Sequence, residues 1–183
     1  MLVFNTQDID IVVSVERIDP EYIKQTIAGE DGRYYLERSR KRGATYRKLY
    51  CRLPGWATDE TRCVKVDILV PPSLNLPTIS ASERWFIRNI PTMPIFDLLV
   101  MKTQGWWDHH ISNREDFRNK EDNDVSDIVA LLKRAKYEKV WFVNEANESR
   151  HSPEFMIHAH TLVDSFVSVH GGRQQWRAIG FDV

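Results

Sequence analysis

Two aspartates, Asp8 and Asp10, stand two residues apart in the run Asp8-Ile9-Asp10-Ile11-Val12-Val13. The β-branched residues around them predict a strand over 8–15. On such a strand the two carboxylates share one face, and Ile9, Ile11 and Val13 take the other. Adjacent carboxylates repel, and a half-buried strand is a costly place for them unless a cation lies between. Mg²⁺ takes hard oxygen ligands of this kind and completes its shell with water and substrate phosphates. A solvated strand edge accounts for the same pair without a metal.

A third acid sharpens the pattern. The stretch 63–70 predicts a strand with Val64, Val66, Ile68 and Val70 on one face and Lys65, Asp67 and Leu69 on the other. Asp67 is the lone acid in this apolar run. Pairing the strand beside 8–15 would bring three carboxylates together, enough to hold one or two Mg²⁺ ions that orient a triphosphate and activate an attacking oxygen. The rival account makes Asp67 an ion-pair partner of Lys65 or of a nearby arginine.

Two basic features are candidates for anionic ligands. Lys102 is the only charged residue between Leu98 and Trp107, on a helical stripe shared with Leu98, Leu99 and Trp106. An ammonium in that setting needs a partner, either a phosphate or the carboxylate cluster, or it snorkels to water. The segment 33–52 holds eight lysines and arginines against one acid, Glu37, and sets Tyr46, Lys48, Tyr50 and Arg52 on one face. Cations interleaved with aromatics suit RNA or a nucleotide. They also suit a strand edge protected against pairing. Asp108-His109-His110 and His158-x-His160 lack a second cluster at metal-ligand spacing. His158 is expected to be a packing residue with a satisfied ring. Asp122, Asp124 and Asp127 are explained by a helix N-terminus. No Gly-x-x-x-x-Gly-Lys loop, Gly-x-Ser-x-Gly elbow or His-Glu-x-x-His is present.

The elements that must position these residues follow from local signals. Asp19-Pro20 predicts a helix start, running to about Ala28. Strands 33–39 and 45–53 flank Arg42-Gly43-Ala44 as a hairpin. Strand 63–70 is stopped by Pro71-Pro72, and 71–93 reads as an irregular connection. Pro94 opens an apolar helix to about Trp107. A charged loop over 108–123 leads to a helix from Asp124 to Lys136, with Val125, Ile128, Val129 and Leu132 on one stripe. Residues 139–143 read as a short strand. Ser152-Pro153 starts a last helix, with Phe155, Ala159, Leu162, Phe166 and Val169 in register and Gly171-Gly172 as its stop. Strands with an embedded helix, followed by helices, predict an α/β or α+β domain: a mixed sheet with flanking helices and a helical C-terminal half.

The order and spacing of these motifs resemble the polymerase-β-type nucleotidyltransferase superfamily. Thr6-Gln7-Asp8-Ile9-Asp10-Ile11-Val12-Val13 and Val66-Asp67-Ile68-Leu69-Val70 look like its Asp-x-Asp strand and its third-acid strand. Pro94-Ile95-Phe96-Asp97-Leu98-Leu99-Val100-Met101-Lys102 resembles the helix after the catalytic sheet in the abortive-infection-type branch. Lys120-Glu121-Asp122-Asn123-Asp124-Val125 resembles that branch's Lys-acid-x-x-Asp segment. The resemblance implies Mg²⁺ (or Mn²⁺) held by Asp8, Asp10 and Asp67, which are then both metal ligands and catalytic residues. It implies a nucleoside triphosphate such as ATP near Thr6, Lys102 and Lys120. Family members also carry a Gly-Ser or Gly-Gly turn about a dozen residues before the first aspartate, whereas seven residues precede Asp8 here. The expectation is therefore either a piece of a longer, active enzyme or a degenerate member that binds nucleotide, RNA or a protein partner.

Size and composition frame these expectations. The 183 residues suit one nucleotidyltransferase-fold domain, sheet-rich over 1–72 and helical over 94–183. With 11% aromatic residues, six of them Trp, the chain has ample apolar surface to bury and is not a disordered one. Twenty-five basic and 26 acidic side chains give a net charge of −1, so any affinity for RNA must come from a local patch such as 33–52. A magnesium-dependent nuclease also needs carboxylates, but the acid-x-Lys that one common nuclease site requires does not follow Asp67. Two cysteines make neither a zinc pattern nor a disulfide scaffold. With no signal peptide or long apolar run, a soluble, cytoplasmic protein without membrane partners is expected.

Overall fold

The computed structural model describes residues 8–15, 17–53, 63–71, 75–141 and 151–183. Its fold is mixed α+β, as the order of elements predicts, with a four-stranded sheet early in the chain and helices in the C-terminal half. The chain divides into two compact units, Met1–Ser80 and Ala81–Val183.

The first unit contains β1 (Asp8–Val12), α1 (Pro20–Glu30), β2 (Tyr34–Arg38), β3 (Arg47–Arg52) and β4 (Cys63–Leu69). The strands lie in the order β1-β4-β3-β2. β1 runs parallel to β4, and the other two pairings are antiparallel. β1 and β4 are parallel neighbours with α1 and a hairpin between them in sequence, the long crossover that a parallel pair requires. The N-terminus of α1 is built as Asp19-Pro20 predicts. The Asp19 carboxylate accepts from the Glu21 amide at 2.9 Å, and Pro20, which has no amide to satisfy, occupies the first turn. Ile23, Ile27 and Ala28 of α1 pack on Leu49, Val66, Ile68 and Val70, the buried centre of this unit. That face of the sheet is apolar at its centre, with Arg47 pairing with Glu21 of α1 at its margin, and period-two alternation puts Asp8, Asp10, Lys65, Asp67, Lys48 and Tyr50 on the other.

The second unit contains a hairpin of β5 (Trp85–Ile87) and β6 (Ile90–Thr92), then α2 (Ile95–His110), α3 (Glu115–Arg118), α4 (Glu121–Tyr137), α5 (Pro153–His170) and α6 (Arg173–Arg177). Its core joins Phe96, Leu99 and Trp106 of α2 to Ile128 and Leu132 of α4, Ala159, Val163 and Phe166 of α5, and Trp176. Ser152 caps α5 by accepting from the Phe155 amide at 3.2 Å. Gly171 and Gly172 follow at φ 72° and 79°, backbone positions that favour glycine.

Several local expectations shift. The 71–93 connection contains the β5–β6 hairpin, whose Arg88-Asn89 turn has φ of 51° and 66°. Such a turn is usually announced by glycine, and here it is not. α4 begins three residues early, at Glu121, because the acids that read as a loop supply its first turn. Its core-facing residues are Ile128, Leu132 and Ala135, while Val129 is exposed. α5 likewise turns Met156, Val163 and Val167 inward and leaves Val169 exposed. Lys139, Val140 and Trp141 are not in a strand, and 142–143 of that expected strand lie outside the described residues.

Candidate functional site

The parallel pairing of β1 with β4 sets Asp10 opposite Asp67 and Asp8 opposite Lys65. Residues opposite one another on paired strands share a face, so Asp8, Asp10 and Asp67 lie together on the polar side of the first unit's sheet. The strand pairing that sets the three acids on one face is present. Between the carboxylates stands Lys65. Its ammonium is hydrogen-bonded to the Asp67 carboxylate and lies 3.9 Å from Asp8 Oδ2. Burial pushes the Lys65 ammonium pKa down. The bond to Asp67 and the charges of Asp67, Asp8 and Asp10 outweigh that and hold it above the ordinary lysine value. Lys65 therefore carries the positive charge that three clustered carboxylates call for, and the ion-pair account of Asp67 describes a real contact.

Carboxylate oxygens on one face are the donor type that Mg²⁺ prefers. Among the described residues, however, no group of three or more His, Cys, Asp or Glu side chains is arranged to hold a metal ion. Lys65 holds Oδ2 of Asp67, so a cation ligated through that oxygen competes with the ammonium. The donor chemistry fits; the present hydrogen bonding is that of an internal salt bridge.

The same polar face continues across β3 and β2. Tyr50 is opposite Lys65 on one side and Tyr35 on the other, and the two tyrosine rings stack with centroids 5.5 Å apart. Of the eight cations in 33–52, Arg33 pairs with Asp31, Arg40 with Glu37 and Arg47 with Glu21. Arg52 donates to the Gly32 carbonyl at 3.2 Å. Arg38, Lys41, Arg42 and Lys48 have no acidic partner among the described residues. The hairpin's uncompensated charge thus collects around its turn, where Gly43 at φ 79° reverses the chain.

Other predicted residues fall elsewhere. Thr6 lies outside the described residues. In the second unit Lys102 bonds Asp127 of α4 at 2.8 Å, with about a third of each side chain exposed, so its partner there is a carboxylate that reads from sequence as a helix-start acid. Lys120 is exposed just before α4, its ammonium 5.8 Å from the Phe117 ring centre. His158 bonds Gln104 and is the satisfied packing residue expected.

Two groupings escape sequence reasoning. The Glu121 carboxylate gathers His110 Nδ1 at 2.8 Å, His170 Nε2 at 3.5 Å and the Trp106 indole N–H at 3.3 Å, while His109 meets Asp124 at 2.5 Å. Asp97, fully buried in α2, lies 3.2 Å from His151 Nε2. The only sequence signal for the first is a pair of histidines one helix away from an acidic helix start; the second has none. Among the described residues no helix is long and apolar enough to cross a membrane.

Comparison with family models, with curated proteins and with solved structures returns no match for this chain.

Proposed function

We propose that the polar face of the first unit's sheet is the nucleotide site of a Mg²⁺-dependent nucleotidyltransferase. The observation that carries the reading is the register of β1 on β4, which puts Asp10 opposite Asp67 and Asp8 on the same face. Asp8, Asp10 and Asp67 would hold the cation, Mg²⁺ or Mn²⁺, which when bound neutralises triphosphate charge and fixes the phosphates for in-line attack. The chemistry asked of the chain is mostly positioning and electrostatics. An acceptor hydroxyl oxygen forms a bond to the α-phosphorus, the bond to the β-phosphate breaks, and pyrophosphate leaves. The acceptor proton passes to Asp67, and Lys65, freed from that carboxylate, keeps a positive charge beside the phosphates. The unpaired cations Arg38, Lys41, Arg42 and Lys48 favour RNA as the acceptor. A cytoplasmic setting belongs to the same reading.

The bond between Lys65 and Asp67 favours a second reading, in which the carboxylates are neutralised internally and the face binds nucleotide, RNA or a protein partner without catalysis. Isothermal titration of ATP, CTP, GTP and UTP with Mg²⁺ separates the two when joined to a pyrophosphate-release assay. Asp10→Asn is expected to abolish Mg²⁺-dependent binding and turnover while preserving the circular dichroism spectrum. Turnover retained in that variant overturns the enzyme reading. Failure of folded wild type to bind any of the four overturns the nucleotide site.

A further inference from the structure

Three side chains on the polar face of the first unit form a short stack. The Arg52 guanidinium lies 4.4 Å from the centre of the Tyr35 ring. Tyr35 in turn stacks on Tyr50, with centroids 5.5 Å apart and planes 20° from parallel. The pair is held in place from below by strand register, Tyr35 opposite Tyr50, and from the side by the Tyr35 hydroxyl, which donates to Cys63 Sγ at 3.2 Å. That bond, followed by burial, pushes the Tyr35 phenol up to about 12, so the ring stays neutral. Burial pushes the Tyr50 phenol up as well.

The stack is asymmetric. Tyr35 has the guanidinium and Tyr50 as neighbours, whereas among the described residues no second ring and no cation is recorded over Tyr50. Beyond Tyr50 the next residue in register is Lys65, whose ammonium sits among Asp8 and Asp67. Adjacent strands are about 4.8 Å apart. Tyr50 is therefore one strand across and two residues along from Asp67, about 8 Å, and two strands across from Asp10, about 12 Å, the order of separation between a base and its 5′-phosphates.

We infer that Tyr50, backed by Tyr35 and Arg52, is the base-stacking subsite for the nucleoside triphosphate whose phosphates lie at Asp8, Asp10 and Asp67. The inference rests on the nucleotide site proposed above and adds the part of the ligand that the carboxylates do not touch. A nucleobase is the fitting occupant because it presents a flat π-face to a phenol ring and carries its anionic tail on a short tether. Stacking of this kind is tolerant of base identity, since every base has such a face. Arg52 lies against Tyr35, and a guanidinium stacks favourably on an aromatic face.

A cross-strand aromatic pair also stabilises a sheet without any ligand, and the test separates the two roles. Isothermal titration with Mg²⁺ compares ATP, CTP and inorganic tripolyphosphate on wild type, Tyr50→Phe and Tyr50→Leu. Loss of stacking in Tyr50→Leu is expected to weaken ATP and CTP by roughly 5- to 100-fold while leaving tripolyphosphate unchanged, and Tyr50→Phe is expected to bind all three as wild type does. A parallel readout needs no variant: the triphosphate of 2-aminopurine riboside is expected to lose fluorescence on binding wild type, as a stacked base does. Unchanged ATP affinity in Tyr50→Leu, equal weakening of ATP and tripolyphosphate, or a bound fluorescent base without quenching each overturns the subsite while the nucleotide site stands. Wild type that binds neither ATP nor tripolyphosphate overturns both together.

Discussion

Replacing Lys65 with Met removes the ammonium that bonds Asp67 and stands beside Asp8, and the cost can be worked from its contacts. At the 3.9 Å separating its ammonium from Asp8 Oδ2, two unit charges attract by about 4 kcal/mol in a medium of effective dielectric 20 and about 1 kcal/mol in water. Lys65 keeps 32% of its side chain exposed, which places the pair toward the aqueous limit, and ordering a long side chain offsets part of the gain. The Asp8 contact is then worth about 0.5 kcal/mol and the direct bond to Asp67 about 1 kcal/mol. Lys65→Met should lose about 1–2 kcal/mol at neutral pH without divalent cations. Because the folded-state pKa of Lys65 is raised above the ordinary value of 10.5, its contribution is fully present below that pH. The contribution disappears as pH climbs through the folded value, so the gap between wild type and variant closes only above about pH 10.5. The variant also takes away the ammonium that holds Asp67 and stands beside Asp8. Mg²⁺ should therefore stabilise it by about 1.4 kcal/mol at ten times its dissociation constant, and wild type by less, since there the metal must displace an ammonium. Urea unfolding followed by circular dichroism, with and without millimolar Mg²⁺, measures all four stabilities. A variant as stable as wild type without Mg²⁺, or Mg²⁺ shifts of equal size in both proteins, would refute the claim that Lys65 and a metal compete for one site.

Two further outcomes test the packing within each unit. Leu49, fully buried at the centre of the sheet, contributes apolar contact that alanine cannot replace. Leu49→Ala should lower the urea midpoint by the equivalent of about 2–5 kcal/mol at unchanged slope, and a loss under 1 kcal/mol, on the order of a surface change, would contradict the packing of α1 on this face. For Glu121, burial raises the carboxyl pKa, but the His110 bond and charge, the Trp106 N–H and His170 together hold it below the ordinary 4.5. Its stabilisation is present above that pH and lost as pH falls through the depressed folded value. Glu121→Gln should therefore be less stable than wild type by about 1 kcal/mol at neutral pH, with the difference vanishing below pH 4.5. A constant difference down the acid limb of a pH titration would show that charge on Glu121 is not what matters.

Much of this protein is legible from residues that are close in sequence. Alternation in 8–15 and 63–70 separates an apolar from a polar face, because strand side chains alternate whatever they later meet. Asp19-Pro20 and Ser152-Pro153 announce helix starts, because the groups they satisfy are two or three residues away. Gly171-Gly172 marks a stop through backbone conformations that side chains disfavour. Where a local signal is missing or ambiguous, the sequence does not show the element: the Arg88-Asn89 turn has no glycine, and the acidic stretch from Glu121 can serve a loop or a helix start equally well.

Partner choice was decided only by the tertiary structure. The residues 8–15 and 63–70 do not say that their strands are neighbours, still less that Asp10 meets Asp67, because that register depends on how α1 and the β2–β3 hairpin fill the crossover. Whether Lys65 or a metal answers Asp67, whether Lys102 finds phosphate or Asp127, and whether Tyr35 lies on Tyr50 are likewise questions of which groups arrive within a few ångströms. Side-chain type and spacing determine what each residue can offer. Long-range packing determines what it is offered to, since electrostatic and stacking energies depend on distances that only the folded chain sets.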